Sequence, residues 1–205
     1  AYPSTGADLK GLMKAAYHDP NPVVMLEHKG LYWSKIKGTE EARTIEPSAD
    51  YVVPFGKARI VQRAEAAHVA QGTAAVVVTY GMGVYWARAA ARTLPGRVTI
   101  VDLRTLVPMD EETVMREVEA HGRCLVVTEE QITNSFAQAL AGRIQSTCFR
   151  SLDAPVRSLG ALDMPAVPLN STLEAAMIPS AEKVQGASVS VYMMLSKRKR
   201  LKPAR

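Results

Sequence analysis

The sequence predicts an α/β chain with a mostly parallel central sheet. From Phe55-Gly56-Lys57 onward, strand and helix signals alternate, which is how a parallel sheet is written, and the helices bring their own start signals. Bulk composition agrees: 205 residues, 47% apolar, with a mean hydropathy of -0.04, describe a globular chain with a sizeable core in one large or two small domains.

The first element reads as a helix, because Leu9, Leu12, Met13, Ala16 and Tyr17 follow i, i+3, i+4, i+7, i+8 spacing, with Ser4 or Thr5 available as cap. Asp19-Pro20-Asn21-Pro22 ends it, since proline cannot continue the helical ladder, and Val23-Val24-Met25-Leu26 then reads as a strand buried on both faces. One helix and one strand cannot enclose a core. Residues 1–33 are therefore expected to be the end of a domain whose earlier part lies outside this sequence, leaving apolar surface for self-association or a partner.

Residues 34–54 mix Lys35, Lys37, Gly38, Glu40, Glu41 and Arg43 without a sustained period and read as an interdomain linker. The second domain, 55–190, has strands at Ala75 to Tyr80, Val98 to Leu103, Leu125 to Thr128 and Val156 to Leu159. One helix starts after Pro108 and Met109, with Asp110, Glu111 and Glu112 in the first turn, where the helix dipole favours carboxylates. Another runs from about Asn134 to Thr147, with Phe136, Leu140 and Ile144 along one buried stripe. Residues 191–205 form a basic tail.

The formal net charge is +5, but Lys197, Arg198, Lys199, Arg200, Lys202 and Arg205 supply six positive charges and leave the rest of the chain near −1. The body is not basic, so a nucleic-acid partner is not expected, and the tail reads as a solvated end. The longest apolar stretch, Ala74 to Val78, is far shorter than the roughly 20 residues of a membrane span. Ala1-Tyr2-Pro3-Ser4-Thr5 has neither a basic nor an apolar leader region, which points to the cytoplasm, or to the mitochondrial matrix in a eukaryote. Cys124 and Cys148 form neither a disulfide framework nor a zinc pattern and read as buried thiols. His18, His28, His68 and His121 lack metal-ligand spacing and read as structural.

Gly81-Met82-Gly83 follows a strand and opens a helix, and Asp102 ends the next strand, so a nucleotide-binding oxidoreductase module is one reading. Its third glycine would fall at Trp86, whose ring argues for a tight strand-to-helix turn instead. Neither a nucleophile elbow nor a P-loop is present, and the adjacent acids Glu129 and Glu130 sit at a strand end, where such pairs usually face water.

The stretch Asp102-Leu103-Arg104-Thr105-Leu106-Val107-Pro108-Met109-Asp110 closely resembles a motif of the transketolase carboxyl-terminal domain in the beta parts of thiamine-dependent 2-oxo acid dehydrogenases. Pro3-Ser4-Thr5, Leu9-Lys10-Gly11-Leu12, Asn21-Pro22, Leu26-Glu27-His28-Lys29 and Leu31-Tyr32 resemble the end of that family's pyrimidine-binding domain, and Pro54-Phe55-Gly56-Lys57-Ala58 its domain junction. Val127-Thr128-Glu129-Glu130, Leu152-Asp153-Ala154-Pro155-Val156, Leu173-Glu174 and Ile178-Pro179 continue in the expected order. Asn134-Ser135 departs from the family, which is commonly richer in glycine there, and Lys29-Gly30-Leu31-Tyr32-Trp33 is slightly closer to branched-chain than to pyruvate members.

The resemblance implies an enzyme that decarboxylates a 2-oxo acid on thiamine diphosphate with Mg2+ and reductively acylates a lipoyl group, 2-oxoisovalerate being slightly favoured over pyruvate. It places the family's catalytic glutamate and histidine upstream of Ala1, so no catalytic or cofactor-binding residue is assigned here. The cofactor is not expected on this stretch alone, whose implied part is assembly. Implied partners are an alpha subunit or alpha part, further beta parts and the dihydrolipoyl acyltransferase core. A potassium ion held by the backbone carbonyls of Ala16, Asp19 and Asn21 is implied, as is docking of the acyltransferase's subunit-binding domain near Asp153. A purely structural interaction domain stands as a further alternative.

Overall fold

The computed structural model describes residues 1–33 and 36–189. In chain order its helices are α1 (Gly6–His18), α2 (Lys29–Tyr32), α3 (Ala66–Ala70), α4 (Gly83–Ala91), α5 (Glu111–His121), α6 (Phe136–Thr147) and α7 (Ser171–Met177), followed by a helix over residues 181–189. The strands are β1 (Arg59–Gln62), β2 (Ala75–Thr79), β3 (Val98–Asp102), β4 (Cys124–Gln131) and β5 (Arg157–Ala161).

They form one five-stranded sheet in the order β1-β3-β2-β4-β5. The pairs β2–β3, β2–β4 and β4–β5 are parallel, and β1 is an antiparallel edge on β3 with a register shift between Ile60 and Gln62. Every residue of β2 and β3 is buried, as expected of parallel strands covered on both faces. Alternate side chains supply two cores. Val77, Val98, Ile100, Leu125 and Val127 pack beneath α4 and Val184, whereas Val76, Val78, Val101, Cys124 and Val126 pack beneath α5 and α6.

Local chemistry sets the helix boundaries. The Thr5 hydroxyl accepts the Asp8 amide at 3.2 Å, Asp110 accepts from Thr113 at 3.1 Å, and Ser135 accepts from Gln138 at 3.0 Å, each satisfying a first-turn donor with no intrahelical partner. Asn134, in the region where the family favours glycine, has φ +59°, a left-handed conformation that asparagine tolerates better than most side chains.

One expectation needs correction. Val23–Leu26 is not a strand: among the described residues its backbone is tied only to Ala1, through the Ala1 amino group to Val24 and the Leu26 amide to Ala1, and Val24 is 71% exposed. An apolar run makes a strand only where neighbours complete the ladder. The buried side of α1 is Asp8, Gly11 and Leu12, while Met13 and Tyr17 face solvent. Gly11 decides this, because its missing Cβ lets Tyr51 and Val53 approach, and its carbonyl accepts the Val53 amide at 3.1 Å. The stretch after residue 36 carries a single 3-10 turn at Glu40–Ala42, with Thr39, Ala42 and Val53 buried. Lys197 to Arg205 of the basic tail lie outside the described residues.

Candidate functional site

In open α/β sheets, ligands settle at the carboxyl ends of the strands where strand order reverses. Here that point is the end of β2, since the chain passes to β3 on one side and then to β4 on the other. The turn at this point is Gly81-Met82-Gly83. Gly81 has φ +54°, and a Cβ there would collide with the ring of Tyr2; one on Gly83 would collide with the Thr79 hydroxyl, which donates to the Val127 carbonyl at 2.9 Å. The crevice is thus filled by the start of the chain, with the Tyr2 ring tilted against Tyr80 at 5.2 Å. Burial, and secondarily the Glu129 charge, push the Tyr2 phenol up to about 12.

Beside this turn a buried ionic cluster joins the first residues to the sheet. Asp102, fully buried, accepts from the Ser4 hydroxyl at 2.5 Å and from Arg59 at 3.2 Å. Asp8, also buried, pairs with Arg59 at 3.3 Å and with Arg104 at 3.1 Å. Tyr85 donates to the Ser4 carbonyl at 2.6 Å, and the Tyr2 amide to the Arg104 carbonyl at 2.8 Å. Burial pushes Asp102 up to about 6, opposed chiefly by the Arg59 charge and the Ser4 hydroxyl. With its carboxylate committed to Ser4 and Arg59 and Trp86 buried in the core, Asp102 is not placed to read a ribose, and the nucleotide-binding reading loses its site.

The adjacent acids of β4 diverge. Glu129 meets His28 at 3.2 Å, and this hydrogen bond raises the histidine's pKa against the effect of its burial. Glu130 accepts the Phe136 amide at 2.8 Å at the start of α6 and the Tyr80 hydroxyl at 3.2 Å, while Tyr80 and Thr128 share a bond of 2.6 Å. Both line a cavity of about 550 Å³ together with Tyr2, Tyr80, Phe136 and Glu174.

The other sequence-derived residues lie elsewhere. Ala16, Asp19 and Asn21 share the turn that ends α1: the Asp19 amide donates to the Ala16 carbonyl at 3.3 Å, and Asn21 donates to the Asp19 carboxylate through its amide at 2.9 Å and its side chain at 3.0 Å. Carbonyls at a helix end are the donor type a hard cation accepts, and that of Ala16 already accepts one amide. Asp153 lies at the amino ends of the strands, its amide donating to the Gly122 carbonyl at 2.7 Å and its half-exposed carboxylate 3.9 Å from Arg123. Cys124 and Cys148 are both buried, and burial raises both thiols. His121 is buried between the Thr99 hydroxyl at 2.8 Å and the Glu117 carbonyl at 2.7 Å, and burial lowers its pKa.

The described residues do not fit thiamine diphosphate with its metal. The glycine turn that could approach a diphosphate is filled by Tyr2, and no group of three or more His, Cys, Asp or Glu among the described residues could hold a metal ion. No described helix is long and apolar enough to cross a membrane. Tyr2, Asp8, Arg59 and the His28–Glu129 pair carried no local signal in the sequence, because their partners lie far along the chain.

A mostly parallel sheet covered on both faces, with its crevice closed by a preceding segment, defines an α/β domain of transketolase carboxyl-terminal type. The chain belongs to the transketolase, C-terminal domain family, whose profile matches residues 64–184. It is 37% identical over 188 residues to the 2-oxoisovalerate dehydrogenase subunit beta of Bacillus subtilis (strain 168), covering 90% of this chain and 53% of that protein. It is 36% identical over 192 residues to the pyruvate dehydrogenase E1 component subunit beta of Rhizobium meliloti (strain 1021), covering 92% and 38%. It is 37% identical over 189 residues to the acetoin:2,6-dichlorophenolindophenol oxidoreductase subunit beta of Cupriavidus necator, covering 91% and 51%. Among solved structures, a split gene transketolase, an inactive beta4 tetramer, superposes with a TM-score of 0.69 at 18% identity, over 93% of this chain and 56% of that one, a likeness of fold. The chain spans about half the length of the first and third of these relatives and 38% of the second.

Proposed function

We propose that this chain is the carboxyl-terminal, assembly-supporting part of a 2-oxo acid dehydrogenase that decarboxylates 2-oxoisovalerate, ahead of pyruvate, and reductively acylates a lipoyl group. The observation that carries the reading is the similarity to 2-oxo acid dehydrogenase beta subunits over 90% or more of the chain, beyond the carboxyl-terminal domain alone. The buried cluster of Ser4, Asp8, Arg59, Asp102 and Arg104 supports an assembling part, since it fastens residues outside the family domain rigidly to the sheet. Thiamine diphosphate and Mg2+ belong to the whole enzyme. Its other partners are an alpha subunit or alpha part, further beta parts and the dihydrolipoyl acyltransferase core, in the cytoplasm or mitochondrial matrix.

The test is the 2-oxo acid-dependent acylation of a lipoyl domain by the full-length polypeptide that contains this sequence, supplied with its alpha partner. Turnover of 2-oxoisovalerate with higher kcat/KM than pyruvate supports the reading; turnover of neither sinks it. Turnover favouring pyruvate, or acetoin oxidation instead, overturns the substrate.

Two sites belong to the same proposal. Asp153 would meet basic residues of the acyltransferase's subunit-binding domain, so Asp153→Lys is expected to slow complex formation and remove part of its salt dependence; unchanged binding by surface plasmon resonance rules the site out. Potassium at the carbonyls of Ala16, Asp19 and Asn21 is expected to protect α1 amides from hydrogen exchange when KCl replaces NaCl, and equal protection in both salts removes it.

A further inference from the structure

The cavity at the carboxyl edge of the sheet, about 550 Å³, is of small-ligand size and has a composition that the proposed function leaves unused. Three aromatic rings stand together in its wall: Tyr2 and Tyr80 tilted with centroids 5.2 Å apart, and Tyr80 and Phe136 edge to face at 5.9 Å. Leu26, Leu106 and Val167 add apolar surface, and Glu129, Glu130 and Glu174 add carboxylates. No lysine, arginine or histidine stands among the described residues of the wall.

The three charges are not equivalent. Glu129 is spent on His28, which stands outside the wall, at 3.2 Å. Glu130 is held by neutral groups alone, the Phe136 amide at 2.8 Å and the hydroxyls of Tyr80 at 3.2 Å and Thr128 at 3.3 Å, and it has no ion pair among the described residues. Neutral donors satisfy a carboxylate's lone pairs and leave its charge uncancelled. Glu174, exposed on α7, likewise has no ion pair among the described residues. Beside these two charges lie ring faces, which attract a cation within about 6 Å of their centroids, and an apolar wall that suits the stem carrying it. An anion would meet carboxylates here, and a neutral body would leave Glu130 and Glu174 without the counter-charge that a cation supplies.

We infer that this cavity binds a small organic cation, an ammonium group on a short apolar or aromatic body, with the charge against Glu130 and Glu174 and the body against Tyr2, Tyr80 and Phe136. The inference stands apart from the reaction proposed above and neither needs nor supports it. Because Tyr2 both lines the cavity and closes the glycine turn at Gly81, an occupant also fastens the first residues to the sheet.

The experiment titrates 2-phenylethylammonium into the 205-residue chain and follows the amide NMR signals of residues 129–136 and 171–178, with 2-phenylethanol and 3-phenylpropionate as neutral and anionic counterparts on the same ring. The expected result is saturable shifts at those residues, with the ammonium bound about tenfold more tightly than the alcohol and the carboxylate not bound. Glu174→Gln, at an exposed position, should weaken the ammonium about fivefold, the effect of one unit charge about 4 Å away in water, and leave the alcohol unchanged. Phe136→Leu, which keeps an apolar side chain and removes the ring, should weaken it about two- to fivefold. Ammonium and alcohol bound within about threefold of each other overturn the inference in favour of a plain apolar crevice, and an absence of shifts at these residues overturns it outright. Shifts that follow protein concentration and are not displaced by the ammonium overturn it in favour of a second copy. An end-blocked arginine dipeptide that binds more tightly than the ammonium overturns it in favour of a partner protein's side chain.

Discussion

A fully buried carboxylate such as Asp102 must be compensated on the spot, and here Ser4 and Arg59 do so only in part, leaving its pKa at about 6 against 3.8 for an ordinary aspartate. Below about pH 4 the group is protonated in folded and unfolded chains alike and does not oppose folding. As pH rises towards 6 the unfolded chain ionises freely while the folded one still holds its proton, so stability is lost, by about 3 kcal/mol once both states are ionised. Asp102→Asn cannot titrate. The unfolding free energy of the variant minus that of the unchanged chain, from urea titrations across pH, should therefore climb between about pH 4 and 6 and level off above. A flat difference would mean that the carboxylate stays ionised throughout. Nothing around Asp102 in sequence announces these contacts: Ser4 and Arg59 lie 98 and 43 positions earlier in the chain, and the residue itself reads as a strand end. Asn134 departs from the family's glycine, and its φ of +59° is one that asparagine tolerates better than most side chains.

At the level of elements, what was legible follows from which forces are local. β2, β3, α5 and α6 were readable because a buried apolar run, an acidic first turn and a four-residue stripe are written in consecutive residues. β1 escaped because four half-buried residues at an antiparallel edge have neither signal, and their pairing with β3 is a long-range choice. Val23–Leu26 misled for the same reason in reverse, having strand composition without strand neighbours. Asp110 shows how a locally legible residue acquires a second task. Its carboxylate caps α5 through Thr113 and also accepts the Ala58 amide at 2.9 Å, fixing the approach of the chain to β1. Asp110→Ala should cost about 1 kcal/mol for the cap and a further 1–3 kcal/mol for the stranded amide, so about 2–4 kcal/mol in a denaturation midpoint at constant m. Asp110→Asn, which keeps acceptors in place, should recover part of it; a loss no larger than about 1 kcal/mol would show that Ala58 finds water instead.

Across the whole molecule, residues 1–33 are held to the sheet by the Asp102 cluster on one side and by the His28–Glu129 pair on the other; Asp102 titrates at about 6 and His28 from above its usual 6.5. His28 is raised above its usual 6.5, first by the hydrogen bond to Glu129 and then, against the opposing effect of burial, by its charge. A group raised by folding adds stability that is fully present below its unfolded pKa and lost as pH rises through the folded one. The seam should therefore be tighter at pH 6 than at pH 8. Glu129 is about a third exposed, so screening limits the pair to about 1 kcal/mol or less. The groups facing it are Glu129 and, close beside, Tyr2, whose phenol stays protonated to about 12 and does not compete. Hydrogen exchange of the α1 amides reports this directly, once intrinsic rates are corrected for pH. Opening of α1 should be a few-fold more frequent at pH 8 than at pH 6 relative to the β2 amides, which report the core, and Glu129→Gln should remove the larger part of the difference while leaving β2 unchanged, the remainder belonging to Asp102. If α1 keeps its pH dependence in that variant, the seam is governed by another group. If α1 and β2 open together at both pH values, residues 1–33 and the sheet form one cooperative unit in which the Asp102 cluster is decisive.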